Sequence, residues 1–145
     1  MTPRRAVPAD ASQLAVLNQF LREYWRAAEL EPAWAGTFEL ALEEIFLNIV
    51  MHGSRPGDAP RVEVSLRLDT DAVTMTVEDD GPQFDPLSLP APDVTASLAE
   101  RRVGGLGVHL TRSLMDAVSY SRTAGRNRLC MSKRGNPRAV RGESA

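Results

Sequence analysis

Residues 62–86, VEVSLRLDTDAVTMTVEDDGPQFDP, decide the fold. Val62, Val64, Leu66 and Leu68 alternate with polar residues, and Val73, Met75 and Val77 do so again after the polar stretch 69–71. Period-two alternation on both sides of a turn predicts a β-hairpin with one face buried. The second strand runs straight into Glu78, Asp79, Asp80 and Gly81, which places carboxylates and a glycine turn at its end. Asp79 can there accept a hydrogen bond from an exocyclic amine, and Gly81 lets a ligand ring approach the backbone. An Asx turn after a strand accounts for the same residues equally well.

Outward from the hairpin, the spacing changes to helical. Asp10 reads as an N-cap with Gln13 at N3, followed by Leu14, Leu17, Leu21, Tyr24 and Ala28 at helical intervals, with Trp25 read as core. A second helix is predicted from Pro32 to Gly53, the glycine suiting the C′ position. Residues 53–60 are a loop, and residues 4–7 form a short edge strand. On the other side, residues 79–102 read as loop with at most a short helix. Residues 104–107 lead into a helical run carrying Val108, Leu110, Leu114 and Val118. Two strands, 118–122 and 128–133, are joined by a turn at 125–127. Residues 134–145 lack periodicity and read as a flexible tail, which leaves residues 1–133 as a single domain. Strands and helices mix without βαβ alternation, so the fold class is α+β: a two-layer sandwich of a mixed, mostly antiparallel sheet with helices on one face.

The 145 residues carry a net charge of −2, which hides a strong asymmetry. Residues 39–100 hold 13 acids against 3 bases, net −10, while residues 101–145 hold 2 acids against 10 bases, net +8. One basic segment alone argues against general nucleic-acid binding. One cysteine excludes an internal disulfide framework and favours a reducing, cytoplasmic setting. No apolar run approaches the ~18 residues of a membrane span, and the start lacks the apolar core of a signal peptide.

Two further clusters carry chemistry. On the second helix Phe38, Leu42, Ile45 and Ile49 form the core stripe at about 100° per residue. Glu44 and Asn48, one turn apart, lie together on one flank, while Glu39 and Glu43 project to the other. An Asn carbonyl is a hard oxygen ligand suited to Mg²⁺, and a carboxylate one turn away can orient or deprotonate a hydroxyl. A solvated Glu beside a boundary Asn is the plainer account of the pair. His52 reads as a histidine at the negative end of the helix. The second cluster is Gly104-Gly105-Leu106-Gly107, directly before a helix. Its backbone N–H groups form a natural phosphate cradle, although a hinge before a helix explains the same glycines. Neither the Rossmann nor the P-loop spacing is met, and Lys133 is the only lysine. Two histidines and one cysteine do not make a zinc site, and Ser113, Ser119 and Ser121 sit in no nucleophile motif.

Taken in order, Glu-x-x-x-Asn on a helix, Asp-x-Gly after a strand and Gly-x-Gly before a helix resemble the N, G1 and G2 boxes of the gyrase/chaperone/histidine-kinase ATPase superfamily. The stretches EEIFLNIVMHG (43–53), VEDDGPQFDP (77–86) and GGLGVHLTRSLMDAVSYSRTAGRNRLCMSK (104–133) are most similar to its anti-sigma-factor serine kinase branch. The resemblance implies the Bergerat ATP-binding fold, with ATP and Mg²⁺ as cofactors. It implies Asn48 as Mg²⁺ ligand, Glu44 as base for the acceptor serine, Asp79 on the adenine amine with Gly81 shaping that pocket, and Gly104, Gly105 and Gly107 at the phosphates. Residues 86–103 would be the ATP lid. Cys130 stands on a strand where relatives often supply a threonine hydroxyl towards adenine, and Gln83 stands where many have a second glycine. The implied activity is phosphorylation of a STAS-domain anti-anti-sigma factor, with sequestration of a sigma factor and homodimerisation. Two other readings use the same boxes: an ATP-binding regulatory module that grips partners without phosphotransfer, and a detached histidine-kinase catalytic module.

Overall fold

Strands with one apolar face and helices with one apolar stripe each require a partner layer, and here they serve one another. The computed structural model describes residues 2–53, 57–88 and 112–138. The elements are β1 (Arg4–Pro8), α1 (Leu14–Ala27), α2 (Pro32–His52), β2 (Arg61–Asp69), β3 (Ala72–Asp79), β4 (Ala117–Thr123) and β5 (Arg126–Arg134), with single 3₁₀ turns at Ala11–Gln13 and Pro86–Ser88. The five strands form one sheet in the order β1-β2-β3-β5-β4. The fold is α+β, as expected, but every pairing among the described residues is antiparallel, so the sheet is not mixed.

The core lies between one sheet face and the two helices. Val62, Val64 and Leu66 of β2, Val73, Met75 and Val77 of β3, and Leu129 and Met131 of β5 meet Leu17, Leu21 and Trp25 of α1. From α2 come all four residues of the expected stripe, Phe38, Leu42, Ile45 and Ile49, together with Ala41 and Phe46. Burying side chains of this size removes about 1.5–3 kcal/mol of unfavourable hydration for each. The opposite sheet face carries Ser65, Thr74, Thr76, Cys130 and Ser132 around a shallow hollow of about 530 Å³.

Several local details differ from the sequence reading. The Asp10 side chain caps Ser12 N–H at 3.1 Å, because a 3₁₀ turn precedes α1 and displaces the helix start. Gly53 is the C-cap of α2 at φ −99°, not a left-handed C′ residue. Val118 belongs to β4, since the described helical residues end at Leu114. The β4–β5 turn is Ala124–Gly125, both at positive φ (54° and 76°), so Asn127 lies within β5. This two-residue turn with both φ positive matches the strand twist. It lacks the usual Asn-Gly or Asp-Gly signature, which made Asn127 look like a turn residue.

The stretch from residue 134 is also attached where the structure describes it. β5 takes in Arg134, the Pro137 carbonyl accepts from Glu31 N–H at 2.5 Å, and Arg138 Nε donates to the Ala28 carbonyl at 3.0 Å. A Cβ on Gly135, at φ +137°, would come within 3.2 Å of the Trp34 ring. The cation at the C-terminal end of α1 complements the helix dipole. Residues 139–145 of the expected tail lie outside the described residues.

Phe38 is fully buried and packs against Trp25 with ring centroids 5.2 Å apart. Phe38→Ala is therefore expected to cost about 3–5 kcal/mol. Chemical denaturation, with an unchanged denaturant slope, is the measurement.

Candidate functional site

The antiparallel register builds the site. Asp79, the last residue of β3, pairs with Val62 of β2 on one side and Asn127 of β5 on the other. Its side chain is 4% exposed, rare for a carboxylate. Asp79 Oδ1 accepts from Gly81 N–H at 2.9 Å and from Asn127 Nδ2 at 3.0 Å. Burial pushes the Asp79 carboxyl above its ordinary range, while the bonds from Asn127 and Gly81 and the nearby Arg122 guanidinium pull it back. The desolvated carboxylate is a strong acceptor that a positively polarised N–H donor would satisfy.

Gly81 has a steric reason of its own. A Cβ there would stand 2.5 Å from the Gly53 carbonyl oxygen and 3.2 Å from Pro60 Cβ, so the turn after β3 packs against the end of α2 only without a side chain. Arg122 Nη1 then closes on the Gly81 carbonyl at 2.8 Å.

The helix face opposite Asp79 comes from α2. Ile45 and Ile49 wall a narrow slot with Asp79, Val77, Leu129 and Phe84, and the void it encloses is about 10 Å³. That holds one water at most, so a purine enters only if Phe84 or its neighbour Pro86 yields. Asn48, on the same helix face as Ile45 and Ile49, is 1% exposed, and neither its Oδ1 nor its Nδ2 has a hydrogen-bond partner among the described residues. A buried amide left this way costs roughly 1–3 kcal/mol and demands an explanation. A hard cation on Oδ1 would account for the oxygen, which is the ligand type Mg²⁺ takes, so Asn48 fits Mg²⁺ through that atom.

Glu44, one turn before Asn48, is half-buried, and its carboxyl is raised by burial and then by the neighbouring Glu43 charge. Glu39 is occupied elsewhere, paired with Arg22 of α1 at 3.0 Å. His52 sits in the last turn of α2, with its ring 5.8 Å from that of Phe84. The structure thus places Asp79 in a slot walled by Ile45 and Ile49 of α2, with Gly81 bonded to Asp79; Gly81, Glu44 and Asn48 do not themselves line that slot. Gly104, Gly105 and Gly107, together with residues 89–103 of the expected lid, lie outside the described residues.

Two residues at the site escaped the sequence reading. Asn127 and Tyr120 both line the slot, and the Tyr120 hydroxyl donates to Asn127 Oδ1 at 2.6 Å. Strand parity carries the missed signal. Leu129 and Met131 point inward, so Asn127 does too, whereas Cys130 and Ser132 point to the opposite face. Cys130 therefore does not face Asp79, and the polar side chain of β5 that reaches it is Asn127.

Residues 7–133 match the family described as the histidine kinase-like ATPase domain. The chain is 31% identical over 119 residues to the serine/threonine-protein kinase BtrW of Bordetella bronchiseptica, covering 79% of this chain and 84% of that protein. Its fold is similar to a structure of the RsbU and RsbW domains of Rv1364c from Mycobacterium tuberculosis, with TM-score 0.63 and 16% identity over 92% of this chain. The chain spans about a third (32%) of that longer protein. It is also similar to a chain of the SiaB–SiaC complex from Pseudomonas aeruginosa, with TM-score 0.52, 17% identity and coverage of 90% and 88%.

Asp79→Asn keeps the acceptor for Gly81 and Asn127 but removes the charge. The sign of its stability effect follows from burial. A carboxyl raised in the folded state binds its proton more readily there than when unfolded. The wild type should therefore gain stability relative to Asp79→Asn as pH falls through that raised value, read by chemical denaturation of both proteins across a pH series.

Proposed function

Since the chain belongs to the histidine kinase-like ATPase domain family, we propose that it is an ATP-dependent serine-protein kinase of the anti-sigma-factor type. In this reading it phosphorylates a serine of a STAS-domain anti-anti-sigma partner and sequesters a sigma factor, in the cytoplasm and as a homodimer. The observation that carries the reading is the buried, unpartnered amide of Asn48 one turn from the raised carboxyl of Glu44. Kinship with a named serine/threonine-protein kinase supports it further.

Each role follows from the chemistry of the side chain. Asp79 accepts from the exocyclic amine of adenine, and Gly81 holds the turn beneath it. Asn48 Oδ1 would hold Mg²⁺, which would supply charge neutralisation at the triphosphate. Gly104, Gly105 and Gly107 are assigned to the phosphates on their motif, as backbone N–H donors before a helix. Glu44 takes the proton from the acceptor serine hydroxyl as its oxygen bonds to the γ-phosphorus and the bond to ADP breaks. A base raised towards the working pH suits that transfer, and the rest of the catalysis is positioning.

Incubation of the chain with Mg-ATP and its STAS partner should yield phosphoserine on the partner, detected by mass spectrometry. Bound ATP recovered intact, with no phosphoserine, would instead mark a binding module that grips partners without transfer. Glu44→Gln should retain ATP binding and lose transfer by about 10²–10⁴-fold. Asn48→Leu separates metal binding from folding. It removes the orphaned amide without a cavity, so the melting temperature should hold or rise while Mg²⁺-dependent ATP affinity disappears.

A further inference from the structure

Asn127 uses every hydrogen-bonding valence of its amide. Nδ2 donates to Asp79 Oδ1 at 3.0 Å and to the Pro82 carbonyl at 2.8 Å. Oδ1 accepts from Phe84 N–H at 3.2 Å and from the Tyr120 hydroxyl at 2.6 Å. An Asn side chain has two N–H donors and two acceptor lone pairs, so none remains for a ligand. The orientation of the amide is fixed as well, because a backbone N–H can only donate and the Pro82 carbonyl can only accept.

These four bonds tie together the end of β3, the turn 81–84 and β4. They converge on a side chain that is 4% exposed. Among the described residues, both donors to the Asp79 carboxylate end on Oδ1, which leaves Oδ2 for another donor. We propose that Asn127, pinned by Tyr120, is the positioning residue of base recognition, holding Asp79 Oδ1 so that Oδ2 serves the exocyclic amine of an aminopurine. A 6-ketopurine would set a carbonyl oxygen against that fixed carboxylate, so the same arrangement selects adenine over hypoxanthine. The inference rests on the ATP-binding reading above and adds to it the residue that orients the recognition group.

The charges around Asp79 are few. Asp80 adjoins it in the chain, Arg122 and Tyr120 face it from β4, Asp85 faces Tyr120, and α2 presents Ile45 and Ile49 to the slot. Removing Asn127 deletes a donor that favours the ionised carboxylate, so its proton should be held to higher pH.

The test titrates the full chain with Mg-ATP and with Mg-inosine triphosphate across a pH series. Asn127→Ala should weaken ATP by about 10-fold or more, narrow the preference for ATP over inosine triphosphate, and move the low-pH loss of ATP affinity upward. Tyr120→Phe, which keeps the ring and removes one bond, should shift all three in the same direction by less. It decides the matter if Asn127→Ala fails to fold. Ser65→Ala, on the opposite sheet face, should change none of them. A merely structural role would lower the melting temperature and leave the base preference and the pH limb in place, and that result overturns the proposal. If the wild type binds no ATP at all, the ATP-binding reading falls with it. Wild-type binding with unaltered variants removes Asn127 alone.

Discussion

The pairing of Asp79 with Asn127 across β3 and β5 is the constraint on which the site depends. It is a matter of register before it is one of chemistry. A slip of one residue would send Asp79 to the Cys130 face and exchange Val77, Met75 and Val73 for Glu78, Thr76 and Thr74 in the core. The hydrophobic pattern of β3 therefore fixes where the carboxylate stands, and the side-chain bond at 3.0 Å fixes how it is turned. Gly81, Arg122 and Tyr120 extend the same arrangement around the end of the sheet.

The arrangement carries a stability cost that the core offsets. Asp79 is a desolvated carboxylate, and Asn48 is a buried amide without a partner among the described residues. Neither would be chosen to stabilise a fold, and each is worth a few kcal/mol in the wrong direction. Both belong to elements that build the apolar core, which includes Ile45, Phe46 and Ile49 of α2 and Val62, Val77 and Leu129 of the sheet. Buried polar groups kept at such a cost have a ready physical account, which is that a ligand completes them.

The hairpin and both helices were legible because their periods of two and 3.6 are long and uninterrupted, and the four-residue stripe of α2 lies in the core as its spacing requires. Legibility fell where one residue type serves two purposes. Asn127 favours turns as an isolated residue, yet in β5 its amide is the polar partner of Asp79. Ala124 carries a left-handed turn that glycine or asparagine would normally announce. Gly81 looked like a place for a ligand to approach, whereas the atom a side chain there would meet first is the Gly53 carbonyl at the end of α2, a long-range contact that spacing cannot reveal. The attachment of Pro137 and Arg138 to the α1–α2 turn is of the same kind, since single long-range contacts leave no periodic trace.

The charge asymmetry of the sequence resolves into two physical roles. The acidic and basic segments are neighbours in the sheet, because β3 belongs to one and β4 and β5 to the other. Arg126 and Arg128 meet Glu78 at 3.2 and 3.9 Å, but their side chains are 44% and 53% exposed. Pairs so open to water contribute little beyond favouring the register. Arg122 acts differently. It bonds the Gly81 carbonyl and lowers the Asp79 carboxyl against the effect of burial, so it helps keep the recognition group charged. A net charge of −2 conceals this because the opposite charges sit on adjacent strands and largely cancel. Among the described residues, the base that acts on Asp79 is Arg122, whose neighbour is buried, where solvent screens least.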